Sequence, residues 1–128
     1  MYYSIICRPE LHQQVKDIIS GNIHFESTTD AKESLDAAAR VNSAVLIIDV
    51  DIGNAGEIIT GIKKYRVARP ETRIILLAPG REPGDQLIAA LISKGVYDII
   101  APMPEEGELN ITVELQQILQ SKPGTYAD

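Results

Sequence analysis

The sequence predicts an α/β fold in which helices cover both faces of a five-stranded parallel sheet. Short apolar runs typical of strands alternate five times with helical patterns, and this alternation is typical of a parallel sheet. The run at residues 44–50 is apolar at nearly every position, as expected for a central strand that is covered on both sides. Because crossovers between parallel strands are right-handed, these observations predict a doubly wound sheet with three layers.

Each predicted strand is a short run of mainly apolar residues bounded by turn-forming or polar residues. The run at residues 44–50 gives the clearest pattern, and the run at residues 23–27 gives the weakest. The five strands are predicted at residues 4–7, 23–27, 44–50, 73–78 and 96–101.

The starts of several helices are marked by local signals. Pro9 suits the first turn of a helix, where its missing N–H would be unpaired in any case. Asp30 and Asn54 each precede a glutamate by three residues, which is the spacing of a capping box. Apolar residues then recur with helical periodicity. The five helices are predicted to begin near residues 9, 30, 54, 86 and 108.

Five strands with these connections suit the flavodoxin-like strand order 2-1-3-4-5. In such a sheet the ligand crevice lies at the carboxyl ends of the strands, near the switch between strands 1 and 3. The residues that follow the strands therefore form the candidate site. They are Cys7 and Arg8 after strand 1, Asp49 and Asp51 after strand 3, Ala78 after strand 4, and Ala101 and Pro102 after strand 5.

The composition argues against several classes of function. The chain has 128 residues with 12 basic and 18 acidic side chains, and its net charge of −6 disfavours binding to nucleic acid or to an anionic membrane. No apolar run approaches the roughly 20 residues that span a bilayer, and the first residues lack the pattern of a signal peptide. We therefore expect a cytoplasmic protein with one domain at residues 1–120 and a linker or tail at residues 121–128.

Three stretches of the chain form a set that points to a family. They are residues 45–49 (Val-Leu-Ile-Ile-Asp) followed by Gly53 and Gly56, residues 73–78 (Arg-Ile-Ile-Leu-Leu-Ala), and residues 95–102 (Gly-Val-Tyr-Asp-Ile-Ile-Ala-Pro). Together they resemble a response-regulator receiver domain of the CheY-like kind, over nearly the whole chain. The resemblance implies a signal-transduction module of a two-component system, with Asp49 at the position of the phosphoacceptor.

The chain departs from the receiver pattern at three of its four site positions. A working receiver needs an acidic pair after strand 1 to help hold Mg²⁺, a Thr or Ser after strand 4, and a Lys before the strand-5 proline. The resemblance is therefore to a degenerate receiver, and neither a resident Mg²⁺ nor another cofactor is expected. The acidic-pair positions fall on Ile6, Cys7 or Arg8, the hydroxyl position on Ala78, and the lysine position on Ala101 or Pro102.

Asp49 is then expected to be a solvated acid at the end of its strand, paired with Arg8. Glu10 and Asp51 are the acids that could join Asp49 in a weak metal site. Cys7 stands where a phosphocysteine carrier would place its nucleophile, but Pro9 removes a backbone donor from the following loop. A buried, inert thiol is expected instead.

The fourth helix predicts an interaction surface. Leu87, Ile88, Leu91 and Ile92 form an apolar arc wider than one buried stripe requires, so it either faces a partner in part or is a wide core stripe. In receivers, the face made by helix 4, strand 5 and helix 5 is the usual contact surface, and the resemblance implies a protein partner or a homodimer there. Atypical receivers of this kind precede partitioning or pilus-assembly type ATPase domains, which implies an ATPase as the tethered or separate partner.

We therefore expect a pseudo-receiver that has no enzymatic activity and that regulates a tethered or partner domain by protein–protein interaction. Two alternatives remain open. One is a functional receiver that is phosphorylated on Asp49. The other is a small-molecule or flavin-binding protein with the flavodoxin-like fold.

Overall fold

The computed structural model describes residues 2–26, 30–80, 85–93, 98–101 and 110–121. Five strands form one sheet in the order β2-β1-β3-β4-β5, and every neighbouring pair is parallel. This confirms the predicted fold class and strand order. The strands are β1 at Tyr2–Ile6, β2 at Asn22–Phe25, β3 at Val45–Asp49, β4 at Arg73–Leu77 and β5 at Asp98–Ile100.

Helices cover both faces of the sheet and give the molecule three layers. One apolar core lies between the sheet and α2, α3 and α4, and a second core lies between the opposite face and α1 and α5. No described helix is long and apolar enough to cross a membrane. The helices are α1 at His12–Ile18, α2 at Ala31–Ala39, α3 at Ala55–Ala68, α4 at Gln86–Ile92 and α5 at Thr112–Gln120, and short 3-10 turns occupy Pro9–Leu11 and Val50–Ile52.

The capping signals are confirmed where the structure describes them. The side chains of Asp30 and Asn54 each accept a hydrogen bond from the backbone N–H three residues later, at 3.0 and 2.9 Å. Asp85 caps α4 in the same way by accepting from the N–H groups of Leu87 and Ile88, although the sequence analysis did not identify it. Of the predicted strand 96–101, the structure shows β5 at Asp98–Ile100. Residues 96 and 97, Pro102 and the predicted tail beyond residue 121 lie outside the described residues.

The predicted interaction surface on α4 is wrong for three of its four residues. Leu87, Ile88 and Leu91 are buried in the core beside α3, and Ile92 is half-buried against the same core. The physical reason is the spacing of the three residues. Positions 87, 88 and 91 share one helical face, and that face packs into the core with residues of the sheet and of α3. The apolar arc of α4 is therefore a wide core stripe, which is the alternative that the sequence left open.

The helices α2 and α3 pack closely at Gly61. A Cβ atom placed on Gly61 would collide with Cδ1 of Leu35 in α2. Because Gly61 has no side chain, the two helix backbones can approach each other at this point. This close approach fixes the relative position of α2 and α3 on one side of the sheet.

The orientation of α4 can be tested by truncating a side chain. Leu91→Ala should lower the free energy of unfolding by about 2–5 kcal/mol, because Leu91 is fully buried and its removal leaves a cavity. Val113→Ala, at an exposed position of α5, should change it by no more than about 0.5 kcal/mol. Urea denaturation of both variants measures the difference. A Leu91→Ala effect as small as that of Val113→Ala would contradict the core packing of α4.

Candidate functional site

The candidate site lies where β1 and β3 end side by side. These strands are neighbours in the sheet, and Ile6 of β1 is paired with Ile48 of β3. The residues that follow this pair, Cys7 and Arg8 on one strand and Asp49 on the other, therefore lie at the same carboxyl edge. This is the edge at which an open parallel sheet places its ligand crevice.

The guanidinium of Arg8 binds the carboxylate of Asp49 through two parallel hydrogen bonds. Arg8 Nε donates to Asp49 Oδ2 at 2.7 Å, and Arg8 Nη2 donates to Oδ1 at 3.0 Å. Two backbone groups complete the set, because the N–H of Arg8 donates to Oδ2 at 3.1 Å and the N–H of Asp51 donates to Oδ1 at 3.0 Å. Each carboxylate oxygen thus accepts two hydrogen bonds, and the forked geometry is the strong form of an arginine–carboxylate contact.

Asp49 pairs with Arg8 as expected, but it is not solvated. The side chain of Asp49 is 0% exposed and that of Arg8 is 31% exposed. The expectation of a solvated acid is therefore wrong. β3 is the central strand, helices cover both of its faces, and Arg8 binds the carboxylate at its end. A carboxylate in this position needs an internal cation, since burial of an unpaired charge is costly.

The electrostatics of the pair favour the charged forms of both partners. Burial by itself raises the pKa of Asp49, but the hydrogen bonds from the Arg8 side chain and from the N–H groups of Asp51 and Arg8 outweigh burial and hold that pKa below its ordinary value. The hydrogen bond to Asp49 raises the pKa of Arg8 in turn. Asp49 is therefore a carboxylate and Arg8 a cation at neutral pH.

Arg8 also reaches a second acid. Its Nη2 donates to Oδ2 of Asp51 at 2.8 Å, so one guanidinium bridges two carboxylates. The Asp51 side chain is 39% exposed, and this outer contact is accordingly the weaker one. We call this set the Arg8–Asp49–Asp51 cluster. The sequence analysis did not predict the bridge, although two acids spaced i, i+2 beside an arginine on the neighbouring strand could have indicated it.

Cys7 is buried and chemically quiet. Burial, and then the negative charge of Asp49, raise the pKa of the Cys7 thiol to about 12. The sulfur is therefore protonated at neutral pH, and a thiol that is not a thiolate is a poor nucleophile.

Among the other predicted site positions that the structure describes, Glu10 alone carries a charged side chain. Ala78 is buried, and its N–H donates to the carbonyl of Ile100 at 2.7 Å. Ala101 is half-buried against the core, and Glu10 is exposed in the 3-10 turn after Arg8. Within the parts of the chain that the structure describes, no group of three or more His, Cys, Asp or Glu side chains is arranged to hold a metal ion.

Comparisons with known proteins connect the chain to others through its fold. No family model matches the sequence. No curated protein matches it either.

Solved structures of CheY-like proteins superpose on nearly the whole chain. A CheY-like protein (tadZ) from Pseudomonas aeruginosa has a TM-score of 0.69 at 17% identity, and the match covers 94% of this chain and 97% of that one. A CheY-type chemotaxis protein from Vibrio cholerae has a TM-score of 0.68 at 15% identity, covering 93% and 95%. A putative pilus assembly protein (cpaE) from Burkholderia thailandensis has a TM-score of 0.67 at 14% identity, covering 94% and 100%. The chain therefore has the fold of CheY-like receiver domains.

The Arg8–Asp49 pair makes a testable prediction about stability and pH. Arg8→Met should lower the free energy of unfolding by about 3 kcal/mol at pH 7, because it leaves Asp49 buried without its cation. The difference in the free energy of unfolding between wild type and Arg8→Met should become smaller as the pH falls toward 4. In the wild type, the lowered pKa of Asp49 gives stability above the unfolded pKa that is lost on acidification. In the variant, burial raises that pKa, so protonation of Asp49 relieves the unpaired charge.

Urea denaturation of wild type and Arg8→Met at several pH values measures this difference. The double variant Arg8→Met/Asp49→Leu serves as the control, because it removes both charges and should recover most of the loss. A pH-independent difference, or a double variant as unstable as the single one, would show that the pair does not act as described.

Proposed function

We propose that this chain is a pseudo-receiver. In this proposal it is a signalling module that works by protein–protein interaction in the cytoplasm, without catalysis and without phosphorylation of Asp49. The receiver fold supports a signalling role. The single observation that carries the proposal is the Arg8–Asp49–Asp51 cluster, in which an arginine of the chain itself binds both acids at the site.

The cluster does not suit a divalent cation. Mg²⁺ requires oxygen ligands in a nearly octahedral arrangement, and it keeps several of its own waters. Both oxygens of Asp49 already accept two hydrogen bonds each, and the guanidinium of Arg8 lies 2.7 Å from Oδ2. A cation at Asp49 would have to displace a bound positive charge. We therefore propose that Arg8 replaces the metal as a permanent counter-ion.

A phosphoryl group on Asp49 would also lack support. Phosphoryl transfer depends on positive charge and hydrogen-bond donors placed around the transferred group. The strand-4 position holds the methyl group of Ala78, and the strand-5 position at Ala101 has no ammonium. Attack on phosphorus would further require Asp49 to leave its hydrogen bonds with Arg8. The site is thus better suited to one fixed state than to a switch.

The proposed partner is a protein that the fixed module positions. The structural neighbours include a putative pilus assembly protein, and the sequence resemblance is to atypical receivers that precede partitioning or pilus-assembly type ATPase domains. On this basis we propose an ATPase of that type, tethered or separate, as the regulated partner. The buried α4 residues leave Ile99, Gln117 and Ile118, along β5 and α5, to contribute to a contact on that side.

The proposal is tested by treatment with a small phosphodonor. Wild-type protein incubated with acetyl phosphate and Mg²⁺ should show no gain of a phosphoryl group in its intact mass, because Arg8 holds Asp49 and, in this proposal, takes the place of the cation. A gain that Asp49→Ala abolishes would contradict the proposal and identify a functional receiver.

The variant Arg8→Asp is the matched test of the metal. It removes the internal cation and adds an acid beside Asp49 and Asp51, so its thermal stability should rise with Mg²⁺. Wild-type stability should not respond to the same Mg²⁺ concentration. A wild type that responds as strongly as the variant would show that Arg8 does not exclude the cation.

A further inference from the structure

A groove with a basic rim runs along the outer side of α3, although the whole chain is acidic. Two adjoining cavities of about 470 and 440 Å³ share Thr60 and Lys64 in their linings. The first also reaches Lys32 of α2 and Glu57 in the first turn of α3, and the second extends toward the end of α3. We call their combined surface the α3 groove and define it by Lys32, Glu57, Thr60, Lys63, Lys64, Val67 and Ala68.

The three lysines of the α3 groove are exposed. Among the described residues, Lys32, Lys63 and Lys64 form no salt bridge. Arg66 near the end of α3 and Arg69 just after it are different, because their guanidinium groups bind backbone carbonyls. Arg66 donates to Thr72 at 2.6 Å, and Arg69 donates to Ala39 at 2.7 Å. Glu57 is the acid among the lining residues, and the three lysines outweigh its charge. The α3 groove is therefore locally positive, although the net charge of the whole chain is −6.

The lining of the α3 groove includes an exposed aliphatic side chain. Val67 is 79% exposed, more than the other exposed large hydrophobic residues of the described chain. A single exposed valine needs no explanation by itself. Val67, however, lines a cavity together with Ala68 and the two adjacent lysines. An exposed apolar side chain flanked by lysines is complementary to an amphipathic surface that carries acids.

We propose that the α3 groove docks an acidic amphipathic helix of a partner protein. Apolar side chains on one face of that helix would contact Val67, and flanking carboxylates would pair with the lysines. The 14 residues of α3 extend over about 21 Å, which accommodates a partner helix of three to four turns alongside. The inference rests on the proposed interaction role and does not depend on the Arg8–Asp49–Asp51 cluster.

The overall charge favours a protein helix over a membrane or a nucleic acid. An extended anionic surface would meet the repulsion of a chain with a net charge of −6. A single helix lying in the groove meets chiefly the nearby lysines, because screening limits charge interactions to about 8 Å at physiological ionic strength.

The test uses a synthetic helical peptide with leucines at i, i+3, i+4 and i+7 and glutamates at the other positions. Binding to the full chain is measured by fluorescence anisotropy, and the contact is located by amide chemical-shift changes. We expect shift changes concentrated along α3 and near Lys32, and an affinity that falls as salt is added. A peptide with lysines in place of the glutamates should not bind.

Two variants with the same change in charge separate the groove from the rest of the surface. Lys64→Glu/Val67→Asp alters the groove and should weaken binding about tenfold or more. Lys16→Glu/Val113→Asp makes the same substitutions at exposed positions of α1 and α5, on the opposite side of the sheet, and should leave the affinity within about twofold.

Equal loss in both double variants, shift changes on another face, or equal binding of the lysine peptide would overturn the proposal. Stronger binding to phosphatidylglycerol vesicles or to single-stranded DNA than to the acidic peptide would also overturn it, and would assign the lysines to that ligand. These outcomes are separate from the phosphodonor test. Phosphoryl uptake on Asp49 would contradict the pseudo-receiver proposal but not the docking proposal. A failure of the peptide to bind would contradict the docking proposal but not the pseudo-receiver proposal.

Discussion

The ion pair between Arg8 and Asp49 is the interaction on which the carboxyl edge of the sheet depends. It joins the ends of the neighbouring strands β1 and β3 and satisfies a carboxylate that has no access to solvent. A buried ion pair adds little net stability compared with apolar residues of the same size, but the loss of one partner is severely destabilising. The pair therefore matters more for the geometry of the edge than for net stability, and this supports the proposal that Asp49 does not act as a phosphorylation switch.

The local signals of the sequence were sufficient for the architecture. The alternation of strands and helices and the caps at Asp30 and Asn54 are properties of short segments, and the structure confirms them. The packing of α4 depends on what lies opposite it. A hydrophobic pattern shows that Leu87, Ile88 and Leu91 must be covered, but it does not show whether the cover is the sheet or another chain.

The residues of the site could be identified from the sequence, but the burial of Asp49 and the hydrogen bond from Arg8 to Asp51 could not. Asp49 was identified from its position at the end of an apolar run, and its pairing with Arg8 followed from the strand order. The bridge to Asp51 depends on the 3-10 turn after β3, and the i, i+2 spacing of the two acids does not by itself specify that turn. The α3 groove was missed for a different reason, since a net charge averages over surfaces that lie far apart in the folded chain.

The most direct test of the central claim is the pKa of Asp49, measured from its carboxyl ¹³C chemical shift with and without Mg²⁺. If Arg8 is the permanent counter-ion, the pKa lies below the ordinary value of 3.8, and Mg²⁺ does not change the carboxyl shift at neutral pH. A pKa above that value, or a carboxyl resonance that moves in a saturable way with Mg²⁺, would contradict the account.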